Sequence, residues 1–558
     1  MNKRFGNTIL KVLFAALLLS SSAAMAQREN DTQEPEATTQ HVTIGGSVFG
    51  GGNLAPVTGS TEVKVNQQGA TVEKDVYGGG ALANVGTDGS NNTTVVELLD
   101  GIINRNVYGG GLGDSIENAY LGDTNVAALV FNKVYVYVGR LYEGESEPDG
   151  HITINGDVFG CNNINGTPKD DVFVNIYRTA HTTGDNNNQY PDGVVTLDQL
   201  DSESYEANYD QKFAINAVYG GGNRASYIPY EVESGDPHFA RVYVWGCKEN
   251  TVKTIYGGGN AANVGDTAAD GTHRTVNTFL VIDGGRFDRI FGGGNGYSAS
   301  HNHDKPFKDG EGQCTVQETN EPCDDYNPGA NIYGTATTTI YGGLYRQVFG
   351  ASNQYGDLDA VSLNINRRQE CDTLLIYETF GGGNEADITA NLTTNLECSD
   401  YMIGTFYGGS NLADINGNVT LNVNGGNYIN VFGGSKGQLE NTSVTPQLEE
   451  KAANINGTVT LNLHGGNIVN AFGGNDVKGS ISGLITVNML QQGDCGLQVD
   501  TIYGGGRDAE YAPDSISDKK IVGPLVNLLH GTVGRQEGEN TIAGCVFGGG
   551  KGQTAVVK

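Results

Sequence analysis

The residues that could do chemistry in this chain are few. Gly433-Gly434-Ser435-Lys436-Gly437 has the G-x-S-x-G spacing of a hydrolase nucleophile. That pattern works on a strand-to-helix elbow, with an acid and a histidine downstream. Here Ser435 takes a position that sister segments fill with glycine, and no helical pattern follows. Gly109-Gly110-Gly111-Leu112-Gly113-Asp114 approaches the calcium-binding solenoid repeat, but its aspartate falls one position early and the pattern does not recur. Acidic loops such as Asp266 to Asp270 offer oxygen ligands that would suit calcium. His301, His303 and Asp304, with Cys314 and Cys323 downstream, have the donor types of a transition-metal site. A disulfide between Cys314 and Cys323, closing a loop with exposed histidines, is the plainer reading. Asp170-Asp171 and Asp324-Asp325 are the adjacent aspartate pairs, and paired carboxylates are what glycosidic cleavage requires. Both pairs fall in stretches that read as surface loops, with no evident partner on a neighbouring coil. Phosphate loops of the form G-x-x-x-x-G-K-[ST] are absent. No catalytic, cofactor or metal residue is therefore expected, calcium being the one ion these loops would suit.

The elements that would position such residues repeat. Asn418 to Ser435 reads NVTLNVNGGNYINVFGGS. Leu421 and Val423 alternate with Asn422 and Asn424, as in a half-buried strand. Gly425-Gly426 is expected to turn the chain, Tyr428 to Phe432 to form a second strand, and Gly433-Gly434 to turn it again. The phrase returns at Thr460 to Asn475 and at Phe279 to Asn295. Fourteen copies carry an aliphatic-aromatic-glycine signature, the aromatics being Phe49, Tyr77, Tyr108, Phe159, Tyr219, Tyr256, Phe291, Phe349, Phe380, Tyr407, Phe432, Phe472, Tyr503 and Phe547. They lie 25 to 31 residues apart where no insertion intervenes. That length suits one coil of a parallel β-helix. The expected fold is thus all-β, a right-handed parallel β-helix of about fourteen glycine-rich coils over residues 42–558. At ~4.8 Å per coil the rod would be about 65 Å long. Segments such as Asn53 to Val57, Asn260 to Val264 and Asn411 to Ile415 would supply a third side. The aromatics read as a stack from coil to coil. The asparagines after the glycines, Asn53, Asn163, Asn223, Asn260, Asn295, Asn353, Asn384 and Asn411, read as an amide ladder.

Composition bounds the function. Residues 1–26 have the form of a secretory signal peptide, with Lys3 and Arg4, an apolar run, and Ala24-Met25-Ala26 as the cleavage site. Residues 27–41 are polar and acidic, and read as a disordered leader. The formal charge of −31 becomes −34 once Lys3, Arg4 and Lys11 leave with the signal. Such a chain repels nucleic acid and anionic lipid, which excludes both as partners. Eight cysteines fit an exported, oxidisable protein. Cys371 and Cys398 lie about one repeat apart, and spacing alone leaves the pairing open. No segment after the signal is apolar for long enough to span a bilayer. The last copy stops just after VFGGGKGQ, where another coil would begin, which reads as part of a longer array.

Longer intervals, Asp114 to Asp157, Asn162 to Ala217, Arg224 to Arg241, Gly296 to Tyr333 and Gln438 to Ile455, read as inserted surface loops. The run Val134 to Val138 is the exception and reads as a strand.

The signal peptide and the repeated GGxxxxVFGGGN coils resemble secreted, glycine-rich β-solenoids of Gram-negative bacteria, adhesin-like surface proteins of the Bacteroidetes type. The resemblance spans Val42 to Val557 and implies a surface adhesin or stalk. Short motifs such as Asp114-Ser115-Ile116, Asp372-Thr373-Leu374, Asp500-Thr501-Ile502 and Asp514-Ser515-Ile516 match sites that such bacteria glycosylate. The expected function is non-catalytic binding of extracellular glycans or matrix proteins at the cell surface, through the loops Asn162 to Ala217 and Gly296 to Tyr333. A polysaccharide lyase or glycoside hydrolase on the same scaffold is the alternative.

Overall fold

The computed structural model describes residues 41–557 except 115–124, 141–151, 180–194, 202–212, 232–235, 268–270, 272, 297–328, 445–446, 514–522 and 538–539. The signal peptide, nearly all of the leader, and the His301, His303, Asp304, Cys314, Cys323 and Asp324-Asp325 candidates lie outside the described residues.

Every pairing between successive coils is parallel, so the chain forms the β-helix that its repeat spacing predicts. Val419–Phe432 shows how one coil is made. Val419, Leu421 and Val423 point inward and are fully buried, while Thr420, Asn422 and Asn424 face out. Gly425-Gly426 bends this strand without ending it. Gly426 takes φ +87°, and the ladder to Val459–Phe472 shifts register there and resumes. One bent strand thus covers two sides of the coil, where a strand, a turn and a second strand are expected. The third side is a single bridged residue per coil, aliphatic in most, as in Val57, Val85 and Val130, or Ile388, Ile415, Ile455 and Ile481.

All fourteen signature aromatics join one stack from Phe49 to Phe547. Ring centroids are 4.5 Å apart between Phe432 and Phe472 and 5.1 Å between Tyr407 and Phe432. The stack is a column of its own, separate from the interior, because the residue before the aromatic, aliphatic in most copies, takes the inward side in every coil but the last. Each stacked pair adds about 0.5–1.5 kcal/mol beyond its area burial.

The glycine after each aromatic but the last is needed for room. A Cβ on Gly433 would sit 2.6 Å from the Gly473 carbonyl oxygen, and one on Gly381 would sit 2.4 Å from that of Gly408. None of these first glycines has positive φ, so the conformational freedom expected of them is not what they supply. Close coil-to-coil approach of the backbone is.

The asparagine ladder forms over seven coils. Asn223, Asn260, Asn295, Asn353, Asn384 and Asn411 each donate through Nδ2 to the previous member, starting from Asn163, at 2.7 to 2.9 Å. The same side chains reach the aromatic two coils back, as Asn163 to Tyr77 and Asn353 to Tyr256. Asn53 is exposed and stands apart from this run. Past Asn411 the column changes to Lys436, Asp476 and Arg507. Asp476 is fully buried and accepts from the Tyr407 hydroxyl at 2.8 Å and from Arg507 at 3.0 Å. Burial pushes its carboxyl up to about 6 against the opposing pull of Arg507, Tyr407 and Lys436. A raised carboxyl favours the fold while protonated. Its stabilisation is complete below about pH 4 and is lost as pH rises through about 6, a swing of about 3 kcal/mol. The melting temperature should therefore rise from pH 7 to pH 5 more steeply in the native chain than in Asp476→Asn, which has the amide of the preceding ladder. Equal slopes in both proteins would refute this.

Two disulfides strap the coils. Cys247 pairs with Cys371, and Cys398 with Cys495, so the two cysteines spaced by one repeat each find a distant partner. Both straps run over glycine corners. A Cβ on Gly284 would strike Cys247 and one on Gly342 would strike Cys371; Gly425 and Gly465 stand in the same relation to Cys398 and Cys495. Each bond therefore joins the corners of two coils that are separated by two others, the corners leaning over the intervening glycines. It also closes a loop of 124 or 97 residues. Closing such loops is worth about 2–5 kcal/mol each in the chain-entropy account. Reduction should lower the denaturation midpoint in two separable steps, tracked by the Cys247→Ser/Cys371→Ser and Cys398→Ser/Cys495→Ser variants; unchanged midpoints would refute the staple role.

The inserted stretches are more structured than loops. Asn162 to Ala217 contains the coil strand Val172–Ile176, and Asp114 to Asp157 contains Ile152–Ile154 beside Lys133–Val138, the strand expected over Val134 to Val138. Within Asn162 to Ala217 a short 3-10 turn, Leu197–Leu200, docks Leu197 and Leu200 on Leu344 and Leu375 of the sheet. Phe213 packs over the Arg286 guanidinium at 4.3 Å. This insertion covers one outer face of the rod and is not simply a free loop.

Candidate functional site

One outer face differs from the rest. It is built by Lys133–Val138, Val172–Ile176, Phe239–Val244, Asn277–Ile282 and Ile332–Ile340, paired in register. In each strand alternate aliphatics point in and are buried, such as Val134, Val136 and Val138, or Ala240, Val242 and Val244. That alternation forces Tyr135, Tyr137, Phe173, Arg241, Tyr243 and Phe279 outward, where they are half-buried.

Parallel in-register pairing then stacks like positions. Tyr135 lies on Phe173 at 4.8 Å, and Arg241 covers the other side of Phe173 at 5.0 Å. Just past the strand ends, Tyr177 lies parallel to Trp245 at 5.5 Å, and Trp245 meets Tyr243 at 3.7 Å. Polar groups sit among the rings. Trp245 Nε1 donates to Asn175 Oδ1 at 3.3 Å, and the Tyr243 hydroxyl donates to Asp283 at 3.2 Å. Arg368 pairs with Asp283 at 2.6 Å while lying 3.6 Å over the Tyr341 ring. Burial holds the Asp283 carboxyl above its ordinary value, although Arg368 and the Tyr243 hydroxyl pull it down. Aromatic planes interleaved with hydrogen-bonding groups form an amphipathic surface, apolar in its ring faces and polar between them.

The same sheet changes character further along the rod. The position of Tyr137, Asn175 and Tyr243 becomes Asn395, Asn422, Asn462, Asn488 and Asn527, each donating to the one before at 2.7 or 2.8 Å. The neighbouring outward column becomes Thr393, Thr420, Thr460 and Thr486. Aromatic side chains are thus concentrated in one stretch of the face, between the Lys64–Glu97 ion pair on one side and the amide and hydroxyl columns on the other.

At the border of that stretch lies a charged cluster. Asp170-Asp171 gains partners on both neighbouring coils, contrary to the expectation of an isolated pair. His238 Nδ1 lies 2.8 Å from Asp171 Oδ1 and 3.7 Å from Asp170 Oδ1, and Lys133 Nζ donates to Asp171 Oδ2 at 3.4 Å. Burial pushes the Asp171 carboxyl up, but His238 and Lys133 outweigh it and hold it below the usual range. A signal was present in the sequence: Asp170 and His238 each stand two residues before an inward-facing strand residue, Val172 and Ala240, which pair across coils.

The other candidates separate. Ser435 is fully buried, and its hydroxyl accepts from the Ser410 amide at 3.1 Å. That is one rung of a backbone-capping column. Asp114 is buried and its backbone pairs with Val126. Asp266 sits in a small antiparallel hairpin and pairs with Arg274 at 3.4 Å. Asp372 is exposed and pairs with Lys248, and Asp500 is buried beside Arg535 with Ile502 inside the core. No helix among the described residues is long and apolar enough to cross a membrane. A scan of protein-family models finds no match, and neither do searches of curated proteins and of solved structures.

Proposed function

We propose that this chain is an exported, non-catalytic β-solenoid of the cell surface that binds glycans along the aromatic stretch of its outer sheet. The observation that carries this reading is the set Tyr135, Tyr137, Phe173, Tyr177, Tyr243 and Trp245, half-exposed and laid in register. Sugars present apolar C–H faces edged by hydroxyls, and a ring plane beside amide, carboxylate and guanidinium groups complements both. The chain's strong negative charge favours neutral over acidic glycans. A flat sheet that repeats every coil suits a polymer, because adjacent weak contacts on one rigid body gain avidity. The signal-like N-terminus and the two coil-spanning disulfides support export.

The test uses residues 27–558 on immobilised neutral and acidic polysaccharides, recording retention and released sugar together, with and without calcium. Retention on neutral polymers without product is expected. Released oligosaccharide would establish the enzymatic alternative, and no retention on any polymer would leave a ligand-free stalk.

A further inference from the structure

We propose that Asp170, Asp171 and His238 form a binding site for a divalent transition metal ion of the zinc class. Their donor atoms all lie within 4.8 Å of one another. An ion bonded at about 2.0–2.2 Å to three donors places those donors roughly 2.9–3.6 Å apart. The two separations from His238 Nδ1, 2.8 and 3.7 Å, straddle that range. Small side-chain rotations suffice to close on an ion.

The three ligands come from rigid places. Asp170-Asp171 immediately precedes Val172–Ile176, and His238 immediately precedes Phe239–Val244, two strands that pair in register. The carboxylates are oriented in advance. Asp170 Oδ1 accepts from the Asp171 amide at 2.7 Å, and the Phe239 amide reaches Asp171 Oδ1 at 3.4 Å. Lys133 engages the other oxygen, Asp171 Oδ2, so it stands beside the convergence point and leaves it free. All three residues are half-exposed, which leaves water to complete the coordination.

The donor set chooses the ion. An imidazole nitrogen with two carboxylates is the mixture that zinc, cobalt and nickel accept. Calcium takes six to eight oxygens and gains little from a nitrogen. The site therefore differs in kind from the calcium that the acidic loops would suit. It is independent of the glycan reading, although it borders the same face through Phe173 and Phe239.

The experiment is calorimetric titration of Zn2+ into the oxidised chain, residues 27–558, in a Cys545→Ser background that removes the one exposed free thiol among the described residues. Other histidines in the chain are allowed for by comparing stoichiometries. His238→Ala and Asp171→Asn should each lose one Zn2+ equivalent, or weaken it at least 10-fold, while His464→Ala keeps the full count. Millimolar Ca2+ should not compete. If His238→Ala perturbs folding by circular dichroism, His238→Gln and Asp170→Asn serve instead, since both keep hydrogen-bonding capacity. Undiminished stoichiometry in the folded variants, displacement by Ca2+, or no Zn2+ binding by the parent chain would overturn the assignment.

Discussion

Gly381→Val is expected to abolish the native fold, whereas Gly496→Val leaves it intact. At Gly381 a new Cβ would lie 2.4 Å from the Gly408 carbonyl oxygen and 2.9 Å from the Thr394 hydroxyl. Neither neighbour can retreat. The Gly408 backbone belongs to the next coil and donates to Phe432, and Gly381 itself donates to the Tyr407 carbonyl at 2.8 Å. Relief requires the coils to separate, which breaks this ladder and the Phe380–Tyr407 stack at once. Core overpacking ordinarily costs about 1–3 kcal/mol, and a clash against immovable backbone belongs to the rarer class above ~4 kcal/mol. At Gly496 nothing lies within 4 Å of the added carbon. Denaturant midpoints and soluble yield compare the two. Similar behaviour would mean that the glycines are not there for close packing. The contrast also separates two uses of glycine in one motif, since Gly426 and Gly466 keep positive φ at the bend while the glycines after the aromatics do not.

The second large effect concerns binding. Tyr243→Ala/Trp245→Ala is expected to weaken retention on any polysaccharide the native chain holds by at least ~30-fold, about 2 kcal/mol, with little change in melting temperature. Both side chains face outward, while Val242 and Val244, which alternate with them, carry the buried packing. Removing the rings strips the stacking plane and frees Asn175 and Asp283 to solvent without opening the interior. Asn422→Ala/Asn462→Ala, in the amide stretch of the same sheet, should leave retention within about 3-fold, because hydrogen-bonded amides exchange readily for water. Equal losses in both variants would place binding along the whole sheet, and a loss in neither would place it elsewhere.

The coil was legible because it repeats. Leu421 and Val423 announce an inward face by alternation, and the repeated copies of Val431 and Phe432 announce stacking. The aromatic column and the asparagine ladder followed from residue type alone. Three features did not. The bend at Gly425-Gly426 looks like a turn, since a sequence shows that glycine permits a left-handed backbone but not that hydrogen bonding continues through it. The disulfides join residues 124 and 97 positions apart, and such separations become short only once the coils are stacked. Most of all, the outer face was hidden by its own register. Phe173 and Tyr177 sit in the stretch Asn162 to Ala217, whose length reads as a surface loop, so their alignment with Tyr135 and Trp245 on neighbouring strands was invisible. The same blindness concealed the meeting of Asp170-Asp171 with His238. The insertion Asn162 to Ala217, expected as a binding loop, spends part of its length, Leu197–Leu200, on covering the sheet.

Trp245 is the chain's single tryptophan, so its emission reports on the proposed face alone. The decisive measurement is a fluorescence titration of residues 27–558 with a soluble oligosaccharide from a polymer that the protein retains. Saturable quenching or a blue shift, with a midpoint matching the affinity found by calorimetry, is the predicted result. Calorimetric binding of the same oligosaccharide with unchanged tryptophan emission would contradict the account and place the ligand away from this face.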